Sequence, residues 1–148
     1  MEIFEIKGDN GILTIEIEKT FDFPNKICFK GGYECIVGIE IKVGSYSVKS
    51  SFYTSTGELF KFYEKLKICQ TELNGIAEFD SYESNLKLTV NYRFGKIGIW
   101  GKYQENLAKE NILEFDFDSD QSYFKKSIEQ LEEIFDKYGG IKGVKKQK

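Results

Sequence analysis

The stretch Tyr33-Glu34-Cys35-Ile36-Val37-Gly38-Ile39-Glu40-Ile41-Lys42-Val43-Gly44-Ser45-Tyr46-Ser47-Val48-Lys49-Ser50-Ser51-Phe52-Tyr53-Thr54-Ser55-Thr56-Gly57-Glu58 changes its period near its end, and that change decides the fold class. Tyr33, Cys35, Val37, Ile39, Ile41 and Val43 recur at every second position, which puts one apolar row on a half-buried strand. Gly44-Ser45 turns the chain into a second strand carrying Tyr46, Val48, Ser50 and Phe52. Ser55-Thr56-Gly57-Glu58 then has the form of a capping box. Beyond it Leu59, Phe62, Tyr63, Leu66 and Cys69 follow a helical period, so a helix is expected over about residues 56–70.

Upstream, residues 11–19 place Leu13, Ile15 and Ile17 on one face against Thr14, Glu16 and Glu18. The turn signal Gly8-Asp9-Asn10-Gly11 joins this strand to a shorter one over about 2–7. Residues 21–32, which hold the only proline, Pro24, and end at Gly31-Gly32, read as a loop. Downstream, strand patterns occupy about 75–80, 85–92, 95–103 and 111–117, with connections short enough for hairpins. A second helix carries Phe124, Ile128, Leu131, Phe135 and Tyr138 and stops at Gly139-Gly140. The order is four strands, a helix, four strands, a helix. Short connections favour antiparallel pairing over crossovers, which predicts an α+β fold. A twisted, mainly antiparallel sheet of about eight strands, with two helices packed on one side, is expected. No internal repeat and no interior linker interrupt the body, so residues 1–140 read as one domain and 141–148 as a frayed, disordered basic tail.

Composition narrows the function. With 41% hydrophobic and 30% charged residues in 148, the chain has both a core and a charged surface, which argues against disorder. No apolar run approaches the roughly 18 residues of a membrane span, and Met1-Glu2-Ile3-Phe4-Glu5 lacks a signal-peptide pattern, so a cytoplasmic location is expected. Cys28, Cys35 and Cys69 are odd in number and widely spaced, which suggests buried free thiols rather than disulfides or zinc ligands. Histidine is absent, which removes Ser-His and Cys-His nucleophile activation and imidazole acid/base chemistry together. Setting aside Lys142, Lys145, Lys146 and Lys148 leaves 17 bases against 24 acids, so the body carries a charge near −7. Such a body disfavours nucleic acid and favours a basic partner.

Asp116-x-Asp118-x-Asp120 has the acid spacing of a calcium loop, but Gln121 stands where that loop needs glycine. Asp118 and Asp120 are better placed to cap the following helix. Glu78, Asp80 and Glu83 flank a turn. As acid/base carboxylates one of them would need burial to raise its pKa, whereas strand edges and turns are solvated. A solvated acidic face that suits a basic partner is the better reading. Gly95-Lys96-Ile97-Gly98-Ile99-Trp100-Gly101 lacks phosphate-loop spacing, so its glycines are read as bends or close strand approaches. Trp100, the sole tryptophan, is read first as a core residue and second as an interface anchor.

Three connected segments resemble the WapI-type immunity proteins, which protect bacteria from wall-associated or contact-dependent polymorphic toxins. They are Thr56-Gly57-Glu58-Leu59-Phe60-Lys61-Phe62-Tyr63-Glu64-Lys65-Leu66; Gly75 to Glu83, running on through Leu86-Lys87-Leu88 to Gly95-Lys96-Ile97; and Leu113-Glu114-Phe115 through Asp120-Gln121-Ser122-Tyr123-Phe124 to Ile134-Phe135. Together they span about residues 33–138, and the amino-terminal hairpin and loop depart most from the pattern. The resemblance implies tight, non-covalent binding that blocks a cognate toxin domain, often a basic nuclease. It implies no catalytic motif. The expected protein is therefore non-enzymatic and free of cofactor and metal, binding a protein rather than nucleic acid or membrane. The resemblance supplies no site residues, and charge and side-chain type alone offer Glu78, Asp80, Glu83 and Trp100 for that partner. The alternative is a structural or regulatory binding module, homodimeric through an exposed strand edge.

Overall fold

The computed structural model describes residues 2–144. The chain forms β1 (Ile3–Gly8), β2 (Gly11–Thr20), β3 (Glu34–Val43), β4 (Tyr46–Ser55), α1 (Thr56–Glu72), β5 (Asn74–Asp80), β6 (Leu86–Arg93), β7 (Lys96–Tyr103), β8 (Leu113–Asp120) and α2 (Gln121–Tyr138). The expected order of elements holds, and all pairing is antiparallel. The eight strands divide into two sheets of four, ordered β1-β2-β3-β4 and β5-β6-β7-β8. Each sheet is a meander followed directly by a helix, so the architecture repeats although the sequence does not.

The period-2 pattern acts strand by strand. In β3, Cys35, Val37, Ile39 and Ile41 are buried, and in β7, Ile97, Ile99 and Tyr103 are. The two inner faces meet through aromatic side chains: Phe52 of β4 lies 6.5 Å from Phe79 of β5 and 6.1 Å from Tyr103 of β7, both edge-on. Burying a side chain of this size stabilises by roughly 1.5–3 kcal/mol. The Tyr103 hydroxyl donates to Ser50 Oγ at 2.8 Å, which satisfies a polar group between the sheets. Burial pushes the Tyr103 phenol above its ordinary value, so it remains a donor at neutral pH.

Each helix packs mainly on the first strand of the other unit. α1 lies on β5 and α2 on β1. Ser55 Oγ accepts the Glu58 N–H at 3.1 Å, which is the forward half of a capping box. The Glu58 carboxylate instead accepts the Thr54 hydroxyl. α1 ends where Leu73 adopts a left-handed backbone, φ 56°, and the chain passes straight into β5. At α2, Asp120 Oδ1 accepts the N–H groups of Ser122 and Tyr123, so Asp120 is the cap. Asp118 does not cap. It sits one pleat earlier on β8, and its backbone carbonyl accepts the Asp9 N–H at 2.7 Å.

That bond belongs to a seam closing the edge of β1. Ser119 Oγ donates to the Lys7 carbonyl, while Gln130 Oε1 and Ser127 Oγ of α2 satisfy the N–H and carbonyl of Glu5. A side chain at Gly8 would meet the Asp118 carbonyl at 2.1 Å, so only glycine permits this approach. An edge that would otherwise offer unpaired groups to another strand is thereby covered. The start of the tail departs from the expectation of a frayed end. The Ile141 carbonyl accepts the Gly32 N–H and the Val144 N–H donates to the Tyr33 hydroxyl, so residues 141–144 run along the body. The expectation for Lys145, Lys146 and Lys148 lies outside the described residues. Cys35 and Cys69 are buried as free thiols, whereas Cys28 is only partly buried.

Candidate protein-binding face

Because alternate residues of β5–β8 enter the core, the others form a continuous outer surface whose composition follows from strand register. Four cross-strand rows run across it: Asn74, Arg93, Lys96 and Asp120; Ile76, Asn91, Gly98 and Asp118; Glu78, Thr89, Trp100 and Asp116; and Asp80, Lys87, Lys102 and Glu114. The two outermost rows mix acids with bases. The two central rows contain Glu78, Asp116 and Asp118 and no base. None of these three carboxylates has an ion-pair partner among the described residues.

Trp100 stands in the third row and is 43% exposed. The core reading of this tryptophan is therefore corrected: its neighbours Ile99 and Gly101 point inward, so strand alternation sends the indole out. An exposed tryptophan in a strand surface supplies large contact area to a partner. Beside it, Gly98 departs from the expectation for this glycine-rich segment. A Cβ there would have no neighbour within 4 Å, so Gly98 marks neither a bend nor a close approach. It leaves a hollow of about 290 Å3, walled by Trp100, Thr89, Asn91, Asp116 and Asp118.

Glu78, Asp80 and Trp100 thus share one face, with Glu78 and Trp100 in the same row. Asp80 lies in the end row, where Lys87 approaches its carboxylate at 4.0 Å. Glu83 is set apart in the β5–β6 turn. There burial, together with the charges of Glu83 and Glu34, pushes the Tyr82 phenol up to about 12. Asp116 and Asp118, which local spacing offers as metal ligands or caps, belong instead to this face. Their alternation with buried Phe115 and Phe117 already signals an outward orientation. Asp116, Asp118 and Asp120 point outward from successive pleats of one strand, spaced over roughly 13 Å, too far apart to share an ion. No group of three potential metal ligands occurs among the described residues.

The outer surface of the first sheet is also concave, with an open volume of about 470 Å3 that includes Glu16, Glu18 and Glu40. Glu16 has no side-chain partner among the described residues, whereas Glu18, Glu40 and the neighbouring Glu5 are engaged. Ser51 Oγ donates to Glu18 at 2.9 Å, Lys42 pairs with Glu40 at 3.0 Å, and Lys126 pairs with Glu5 at 2.8 Å. Among the described residues no helix is long and apolar enough to cross a membrane.

No curated protein matches the sequence. The family model described as the Immunity protein WapI-like family matches residues 3–139. The match starts at the first strand, so the amino-terminal hairpin that departs most from the family pattern lies within the family's span. Covering both meanders and both helices, it establishes that the chain belongs to the WapI-like immunity protein family.

Proposed function

We propose that this protein neutralises a bacterial toxin domain by binding it, without catalysis, through the outer face of the β5–β8 sheet. The observation that carries the reading is the pair of central rows, where an exposed tryptophan stands among three carboxylates unpaired with any described base. Exposed aromatic anchors supply most of the binding energy in protein interfaces, and surrounding charge steers association. Family membership supports the immunity role. The acidic body favours a basic domain such as a nuclease, and the proposed site of action is the cytoplasm. Occupancy requires neither a cofactor nor a metal.

Covering the toxin's active site would be sufficient for protection. The test is co-purification with the carboxy-terminal domain of whatever large secreted protein a neighbouring gene encodes, followed by a toxicity assay. A stable complex that abolishes toxicity is expected. Toxicity that persists in the presence of this protein would overturn the proposal. A strand-edge homodimer would need an edge other than that of β1, which α2 and β8 cover.

A further inference from the structure

We infer that the hollow at Gly98 receives an arginine side chain of a basic protein partner, stacked on Trp100 and paired with Asp116 and Asp118. The inference rests on the proposed toxin-binding face and adds the chemistry that its centre recognises. The hollow exists because β7 places a glycine on an outward pleat where a Cβ would touch nothing. Along β7 it is bounded by Trp100, the sole indole of the protein, and on one flank by β8, which presents two carboxylates on successive outward positions. Neither carboxylate has an ion-pair partner among the described residues.

Guanidinium meets these walls better than ammonium does. It is planar, so it stacks on an indole face, and its fork of donors can serve two carboxylate groups at once. Asn91 of β6, paired with Gly98, adds a polar side chain on the flank opposite β8. The sign of the surface also limits where the cation can sit. Beyond Gly98 the concavity continues to Arg93 and Lys96 beside Asp9, where bases and acids mix, whereas the Trp100 end carries carboxylates and no base, so the favourable position is the Trp100 end.

Because Trp100 is the only tryptophan, its fluorescence reports on the hollow alone. The experiment titrates the full chain with a hexa-arginine peptide and with a hexa-lysine peptide at low ionic strength, following Trp100 emission. The same titrations are run on Gly98→Leu, which fills the hollow, and on Asp116→Asn/Asp118→Asn, which neutralises its wall. In strand geometry with open space above it, leucine at position 98 fits without strain, and the seam at Asp118 uses its backbone carbonyl rather than its carboxylate. Expected is a saturable emission change with hexa-arginine at lower concentration than with hexa-lysine, lost in both variants. No saturable change in the unaltered protein, an equal response to hexa-lysine, or an undiminished response in Gly98→Leu would overturn the inference.

Affinity for the toxin domain separates this inference from the reading beneath it. Gly98→Leu should weaken that affinity by about 30-fold or more, the scale of an interface hot spot. If the toxin domain binds the variant as tightly as the unaltered protein, the toxin reading stands and the arginine hollow falls. If the peptide titrates the hollow while the toxin domain does not bind, the toxin reading falls and the cation site stands.

Discussion

The two meander-helix units share an architecture and differ in what they leave open. Each has a glycine on the outer face of its third strand, Gly38 in β3 and Gly98 in β7. In the first unit the gap is overlain by the unit's own side chain. A register shift between Ile17 and Lys19 leaves Glu18 as the extra residue of a bulge. Glu18 then reaches across Gly38 to accept the Ser51 hydroxyl, and a Cβ at Gly38 would lie 3.1 Å from its carboxylate. In the second unit β6 and β7 pair without a shift, no side chain crosses, and the gap at Gly98 is empty. The first sheet ties Glu5, Glu18 and Glu40 to side chains of this protein but leaves Glu16 without a side-chain partner among the described residues and Tyr53 exposed, whereas the second gathers an aromatic ring and three unpaired carboxylates in two adjacent rows. One backbone plan therefore supplies a supporting sheet and a presenting sheet.

The largest effect should come from breaking the contact that unites the units. Phe52→Ala empties the junction between Phe79 and Tyr103 and should cost about 3–5 kcal/mol, read as a lowered midpoint in urea unfolding. The transition should remain single, because both units share one core. Two separated transitions would show that the units fold independently.

Trp100→Ala should sharpen the comparison at the surface. Toxin affinity should fall by roughly 2–4 kcal/mol in titration calorimetry, while thermal stability moves by no more than about 0.5 kcal/mol. A matched pair of glycine substitutions extends it. Gly38→Leu must displace Glu18 from Ser51 and should cost about 0.5–1 kcal/mol of stability without affecting toxin binding. Gly98→Leu should have the opposite profile.

The smallest effect is a difference in acid response between the two helix starts. Burial raises the Glu58 carboxyl at α1 above its ordinary value of 4.5. The folded state then holds a proton that the unfolded state has released, so this group lowers stability as pH rises above 4.5. At α2, hydrogen bonds from the Ser122 hydroxyl and from the Ser122 and Tyr123 N–H groups hold the Asp120 carboxyl below its ordinary 3.8. Its contribution is present above that value and is lost as pH falls through the folded value. Melting temperature followed across the acid range should lose the first slope in Glu58→Gln and the second in Asp120→Asn.

Much of the fold is legible in the sequence because each strand and helix announces its own period. Leu59, Phe62, Tyr63, Leu66 and Cys69 form the buried stripe of α1 as their spacing requires. The division into two sheets is not legible. Period 2 says that Phe52 and Phe79 point inward, but it does not say that they point at each other from different sheets. The site is half legible for the same reason. Charge alone finds Glu78 and Asp80, whereas residue type places Trp100 inward although its neighbours in β7 already send it outward. Asp116 and Asp118 join the face only through the pairing of β8 with β7, a long-range register that local spacing does not carry. Gly98 matters for what it lacks, which sequence shows only once its neighbours across the sheet are known.

The most direct measurement is the affinity of the toxin domain for two charge-reversed forms of this protein, one altered on each sheet. Glu78→Lys/Asp116→Lys on the second sheet should slow association and weaken binding, and raising salt should narrow its gap from the unaltered protein. Glu16→Lys/Glu40→Lys on the first sheet should bind much as the unaltered protein does. The reverse pattern, with binding lost through the first sheet and kept through the second, would contradict the account.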